Sequence, residues 1–257
     1  MIIIAGPCVI ESRQSAVGIA KVLKGIANRL HVQIIYKASC YKANRTSKDS
    51  FRGVGMRAGK KILREIKDLY GLAVTSDCHT VEDIKHMADT LDVIQIPAFL
   101  CRQTDLLLAA ADTGKTVNVK KGQWVSPQEV KYILEKSGTK SWITERGTFF
   151  GYNRLVVDMA GLIDMSTLCG RIIFDATHSV QYPAGAGDRS SGNRSMILPL
   201  ARAALATGAV GGLFFEVHPL PEIAKCDGDN CLRLNDFEKN LRNLLKLNEA
   251  VKCVLSA

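Results

Sequence analysis

The sequence predicts an α/β protein, a closed (β/α)8 TIM barrel forming one domain over residues 1–257. Three observations lead there. Short apolar runs rich in β-branched residues recur eight times, segments of helical periodicity alternate with them, and no low-complexity linker divides the chain. A chain of 257 residues with 47% apolar content suits one barrel or two smaller domains, and the unbroken alternation decides for the barrel.

The elements follow in order. "IIIAG" from Ile2 is the first strand, ended by the Gly-Pro turn of "AGPCVIES", and "RQSAVGIAKVLKGIANRL" has the periodicity of a helix. "QIIYKAS" from Gln33 is the second strand, "AGKKILREIKDLYG" a helix stopped by Gly71, and "LAVTSD" from Leu72 the third strand. "DVIQIP" from Asp92, the helix "QTDLLLAAADTG" stopped by Gly114, and "TVNVKK" from Thr116 continue the pattern. "SPQEVKYILEKSG" carries a full set of helix signals: Ser126 as N-cap, Pro at the first helical position, an acid three residues on and Gly138 at the stop. "SWITERG" from Ser141 is the sixth strand, and the sixth helix falls in "LVVDMAGLIDMS", a pattern that also suits a buried strand. "RIIFDATH" from Arg171, the helix "NRSMILPLARAALATG" stopped by Gly208, "GLFFEVHP" from Gly212 and the helix "NDFEKNLRNLLKLNEAVKCVL" complete eight repeats. Two strand-to-helix connections are long, residues 39–56 and 179–193. Long loops at a barrel's carboxyl face are where substrates are held.

An excess of 34 Lys and Arg over 25 Asp and Glu gives a net charge of +9, which fits an anionic partner. The basic clusters are mere pairs such as Lys60-Lys61 and Lys120-Lys121, and aromatic content is only 6%, so no stacking platform for nucleic acid emerges and small anions are the better match. The eight cysteines are scattered without a CxxC pair, which argues against a disulfide framework. No apolar run approaches the roughly 18 to 20 residues of a membrane span, and "MIIIAG" lacks the basic n-region of a secretory signal. The expectation is a reduced, cytoplasmic, soluble protein.

Polar residues gather where the strands finish: Cys8, Lys37, Asp77, Gln95, Asn118 and Lys120, Glu145 and Arg146, Asp175 and His178, Glu216 and His218. A barrel brings such groups around one cavity. Four cations, Lys37, Lys42, Lys120 and Arg146, would converge there as a site for phosphate and carboxylate. Arg45 and Lys48 lie in the long second loop, where a solvated basic face is the simpler reading. For Cys8 three readings stay open: packing, a nucleophile or a metal ligand. With His178, Glu216 and Asp227 it would make a mixed sulfur, nitrogen and oxygen set from strands one, seven and eight, suited to Zn²⁺ or Fe²⁺. The spacing matches no known metal motif, and a lone cysteine after a strand is more often a small buried apolar residue.

The stretch "KANRTSKDSFRG" from Lys42, followed by "DVIQIPAFLCRQTDLL", "VNVKKGQW", "ERGTFFGYNRLVVDM", "FDATHSVQ" and "EVHPLPEIAKCDG", resembles the 3-deoxy-D-manno-octulosonate 8-phosphate synthase family, in order over nearly the whole chain. The resemblance implies a (β/α)8 enzyme, a homotetramer, that condenses phosphoenolpyruvate with arabinose 5-phosphate and releases phosphate in lipopolysaccharide biosynthesis. It implies phosphoenolpyruvate binding by Lys37, Ser39, Lys120 and Arg146 with Gln95 close by; Asp77, from the strand-end reading, is a further substrate-binding candidate. Lys42 and Asn44 would face the aldehyde and hydroxyls of the pentose, Arg45 and Thr46 would hold its phosphate, and Arg102 would reach in from a neighbouring subunit. The family divides into a metal-independent class with Asn after the Gly-Pro and a metal-dependent class with Cys there. Cys8 implies the second class, its divalent ion (Zn²⁺, Fe²⁺ or Mn²⁺) completed by His178, Glu216 and Asp227, with no organic cofactor. Lys42, His178 and Asp227 are each candidates for proton transfer.

Two departures stand out. The chain begins almost at its first strand, where family members have a short lead-in over the barrel's amino end, and "RTS" replaces a frequent Arg-Ser-Ser. The aromatic-pathway relative that uses erythrose 4-phosphate, usually with Lys-Pro-Arg-Thr-Ser at this place, is the alternative. A non-catalytic barrel binding a phosphorylated ligand is the other.

Overall fold

The computed structural model describes residues 1–45, 47–150, 153–183 and 191–256. Eight parallel strands pair in chain order: β1 (Ile2–Gly6), β2 (Gln33–Lys37), β3 (Ala73–Asp77), β4 (Val93–Ile96), β5 (Thr116–Lys120), β6 (Trp142–Glu145), β7 (Ile172–Asp175) and β8 (Val210–His218). β8 returns to β1, with Ile4 opposite Phe214, and closes the barrel. Among the described residues eight α-helices cover it: α1 (Arg13–Leu30), α2 (Met56–Tyr70), α3 (Val81–Met87), α4 (Thr104–Asp112), α5 (Val130–Ser137), α6 (Met159–Ser166), α7 (Ile197–Ala206) and α8 (Leu234–Leu255). None of the described helices is long and apolar enough to cross a membrane.

The helix signals act as the sequence implies. Ser126 and Glu129 form a reciprocal capping box over the 3-10 turn Pro127–Glu129 that leads into α5, and Gly71 ends α2 in the left-handed region. The ambiguous "LVVDMAGLIDMS" divides between its two readings. Leu155–Val156 pairs antiparallel with Thr148–Phe149, and then Asp158 caps α6 by accepting from the Gly161 amide. α3 was not singled out from sequence because its seven residues are too few for a clear helical period.

Strand alternation sorts the side chains into two cores. Ile2, Ile4, Ile35, Val93, Ile173 and Phe214 pack inside the barrel. Their strand neighbours, such as Ile3, Ile34, Ile94 and Phe215, face out against Leu63, Leu107, Phe237 and Leu241 of the helices. Gly6 is required where β1 meets β2, since a Cβ there would lie 2.0 Å from the Lys37 carbonyl oxygen. The long loop after β2 is tied down by isolated bridges, Val9 to Ser39 and Tyr41 to Gly53. In the loop after β7, Gln181–Tyr182 pairs with Ser191–Gly192.

Candidate active site

On β2, β4, β7 and β8 the inward face is apolar below and polar above. Ile35 precedes Lys37 on that face of β2, Val93 precedes Gln95 on β4, Ile173 precedes Asp175 on β7 and Phe214 precedes Glu216 on β8. Lys37, Asp77, Gln95, Lys120, Arg146, Asp175 and Glu216 are all buried, so each charge needs a partner. The Lys37 ammonium donates to Glu216 Oε1 at 3.0 Å and to the Cys8 carbonyl at 3.1 Å. Lys120 donates to Asp175 and sits 3.3 Å from the centroid of the Phe214 ring, a cation over an aromatic face. Asp77 accepts from Ser39 Oγ at 2.8 Å and from the Gln95 amide. Arg146 Nη2 donates to Gln181 Oε1 at 2.6 Å, while its buried Nη1 has no partner among the described residues.

These groups open into a cavity of about 460 Å³ lined by Lys37, Lys42, Asn44, Arg45, Lys120 and Arg146 on its cationic side, a size suited to small phosphorylated substrates. Burial presses the pKa of Lys120 down to about 8, with Asp175 resisting the fall. Burial also works against the charge of Lys42, but Cys8, Cys226, Glu216 and Asp77 outweigh it and hold this lysine well above its ordinary pKa. For Asp227 burial alone would favour the acid form, yet Lys42 and His178 bring its pKa down to about 2.

The adjoining wall, tied to the first where Lys37 meets Glu216 and the Cys8 carbonyl, carries the thiol, imidazole and carboxylate set. Cys8 Sγ is 3.2 Å from Asp227 Oδ2 and 2.9 Å from Cys226 Sγ. His178 Nε2 is 3.6 Å from Glu216 Oε1 and 4.0 Å from Asp227 Oδ2. Asp227 has φ 48°, a left-handed backbone that aspartate tolerates better than most residues. The donor set fits a borderline divalent cation, and the buried Glu216 Oε2 lacks any hydrogen-bond partner among the described residues, as a free ligand oxygen would.

The predicted residues separate into distinct groups. Lys37, Lys42, Asn44, Arg45, Asp77, Gln95, Lys120, Arg146, His178 and Asp227 all line the cavity. Ser39 lies behind it, turned onto Asp77, and Thr46 lies outside the described residues. Arg102 is on the surface, 4.0 Å from Glu129 and not in this chain's own cavity. Five strand-end groups depart from the expectation that all face one cavity: Cys8 and Glu216 do not line it, being held against Asp227 and Lys37, and three more turn elsewhere. Glu145 alternates outward between Thr144 and Arg146 and pairs with buried Lys121 at 3.1 Å. His218 Nδ1 accepts from the Leu220 amide at 3.1 Å, and Asn118 is sealed beneath, accepting from Thr144. Cys226 was missed; its only signal is its place immediately before Asp227.

Together the barrel and this buried cation cage, beside residues of a kind that could hold a metal, define a (β/α)8 enzyme for anionic substrates. Residues 1–253 match the DAHP synthetase I family model, and the chain belongs to that family. Its relatives include proteins named 2-dehydro-3-deoxyphosphooctonate aldolase. The one from Pelobacter propionicus is 51% identical over 97% of this chain and 93% of its own. That from Synechococcus sp. is 50% identical over 96% and 88%, and that from Syntrophotalea carbinolica 47% over 97% and 91%.

Proposed function

We propose that this chain, a cytoplasmic enzyme, condenses phosphoenolpyruvate with D-arabinose 5-phosphate and water to give 3-deoxy-D-manno-octulosonate 8-phosphate and inorganic phosphate, a step of lipopolysaccharide biosynthesis. The observation that carries the reading is the convergence of Lys37, Lys42, Lys120 and Arg146 on one cavity beside the thiol, imidazole and carboxylate set. The relatives' name supports the same product, since 2-dehydro-3-deoxyphosphooctonate is that eight-carbon keto acid phosphate.

Lys37, Lys120 and Arg146 hold the phosphate and carboxylate of phosphoenolpyruvate, with Gln95 beside them. Arg146 Nη1 is a ready donor. Lys42 and Asn44 face the aldehyde and hydroxyls of the pentose, and Arg45 with Thr46 holds its phosphate. The enol carbon attacks the aldehyde carbon, and the aldehyde oxygen takes a proton that Lys42, fully charged in this cavity, is placed to give. Carbon two then gains a hydroxyl from water and loses phosphate by carbon–oxygen cleavage, leaving the ketone. The cage's contribution is to hold two mutually repelling anions together and to meet developing negative charge with fixed cations. A divalent ion held by Cys8, His178, Glu216 and Asp227 would supply Lewis acidity toward a substrate or water oxygen.

The deciding experiment measures phosphate release from phosphoenolpyruvate with arabinose 5-phosphate and, separately, with erythrose 4-phosphate, before and after chelation. Release with the pentose phosphate, lost on chelation, is expected. Release with erythrose 4-phosphate alone would assign the aromatic-pathway reaction, and release with neither would leave a ligand-binding barrel.

Three further outcomes test individual roles. Arg45, whose Nη1 lies 2.7 Å from Cys226 Sγ, should matter to one substrate: Arg45→Ala costs about 2 kcal/mol or more in arabinose 5-phosphate binding with little change for phosphoenolpyruvate. Equal weakening of both in calorimetric titrations would refute the assignment. Phosphoenolpyruvate affinity should fall as pH rises above the Lys120 value of about 8. The site needs the ammonium form, so the loss approaches ~tenfold per pH unit, and a flat profile between pH 7 and 9.5 would remove Lys120 from the anion site. Finally, the chain forms a homotetramer in which Arg102 serves the adjacent cavity. Mixing inactive Arg102→Ala and Lys120→Ala chains under exchange should restore activity in hybrid sites, and no recovery despite verified exchange would place each site within one chain.

A further inference from the structure

One buried carboxylate joins the two walls of the cavity. Asp175 Oδ2 accepts from the Lys120 ammonium and, at 2.8 Å, faces His178 Nδ1. Its Oδ1 accepts from the backbone amides of Thr177 at 3.1 Å and His178 at 2.9 Å. The side chain is fully enclosed, and all four contacts come from β5 or from the residues just after β7. We propose that Asp175 is a positioning residue that fixes His178 as the Nδ1–H tautomer, Nε2 turned toward Glu216 and Asp227, while holding Lys120 at the anion site.

The contacts are those of an orienting group. A carboxylate can accept but not donate, so the 2.8 Å contact with His178 requires hydrogen on Nδ1, and in the neutral imidazole that a metal ion binds this leaves Nε2 as the basic atom. A carboxylate behind a ligating imidazole orients the ring and raises its basicity. The same oxygen meets Lys120, whose ammonium otherwise lies over the Phe214 ring and faces the cavity. Ser179 Oγ donates to the Asp175 carbonyl at 2.6 Å, anchoring the turn so that Asp175 and His178 keep their relative position. One consequence is that loss of the Asp175 charge weakens both walls at once, although each wall is built from different strands.

The His178 half rests on the metal reading above and the Lys120 half on the phosphoenolpyruvate reading. Cadmium is the metal probe, because its bond to thiolate gives an ultraviolet charge-transfer band that reports uptake independently of activity. Asp175→Asn keeps shape and removes charge. It is expected to weaken cadmium binding by about 10- to 100-fold, and phosphoenolpyruvate binding in calorimetry as well. Because Asp175 acts through its partners, the change should add little to the metal loss in a His178→Ala background and little to the substrate loss in a Lys120→Met background. A merely structural role would give additive losses in both cycles and overturn the proposal. A wild-type chain that takes up no cadmium would sink the metal reading and this proposal with it, whereas wild-type uptake with an unchanged Asp175→Asn dissociation constant would sink the proposal alone. Should Asp175→Asn fail to fold, the unmutated zinc-loaded protein decides. Nitrogen-15 spectra of its histidines, with His178 assigned by His178→Gln, should show hydrogen on Nδ1, and a bare Nδ1 would overturn the assignment.

Discussion

Cys8→Ala protein is expected to leave purification essentially free of divalent metal and without condensing activity, yet folded. The thiol lies within 4.8 Å of ligand atoms of Cys226 and Asp227, and Asp227 in turn groups with His178 and Glu216, so loss of the thiol should weaken metal binding by more than the roughly 10- to 100-fold that loss of an outer partner costs. Folding should survive, because the change removes a single sulfur from a site bordered by Cys226, Val9 and Phe51, within the usual range of about 1 kcal/mol for a small truncation. Elemental analysis and a thermal melt separate the two effects. Cys8→Asn is the more informative variant, since Asn is the residue that the resemblance assigns to the metal-independent class: it should keep some turnover that no longer responds to chelator. Full metal content and full activity in Cys8→Ala would return Cys8 to packing.

Lys37→Met should unfold the barrel more easily by about 3–5 kcal/mol, because it strands a buried carboxylate. Lys37 and Glu216 are almost wholly excluded from solvent and lie 3.0 Å apart. Burial alone would raise the pKa of Glu216, but Lys37, with His178 and Lys42, holds it below the ordinary value and keeps it ionised. Replacing both partners, as Lys37→Met with Glu216→Leu, should recover most of the lost stability while activity stays absent, since an apolar pair of similar volume avoids the desolvation cost. Urea denaturation of chelated protein is the measurement. A loss under ~1 kcal/mol from Lys37→Met would mean that Glu216 is protonated or otherwise paired.

The cavity's wall was readable because strand periodicity is two. Once "QIIYKAS" and "GLFFEVHP" are strands, Ile35 and Phe214 inside the barrel put Lys37 and Glu216 on the same face. That rule also shows why Glu145 was misplaced: it neighbours Arg146 in sequence, but alternation sends it the other way, to Lys121. Cys226 was beyond such rules. Its contact with Cys8 spans 218 residues and depends on how the irregular segment after β8 folds back. The bridging role of Asp175 was equally hidden, since sequence placed it at a strand end without revealing that Lys120 and His178 share one of its oxygens.

The long loop after β2 carries Lys42, Asn44 and Arg45 on a platform pinned at Val9 to Ser39 and Tyr41 to Gly53. The cations proposed to hold the three-carbon donor mostly stand on or beside the strands, at Lys37, Lys120 and Arg146. On the proposed roles, donor and acceptor recognition occupy separable parts of the chain, one built into the barrel and one appended to it. Exchanging the segment enclosed by the Tyr41 to Gly53 bridge is then a route to enzymes that extend other phosphorylated aldehydes, with the barrel wall left as it stands.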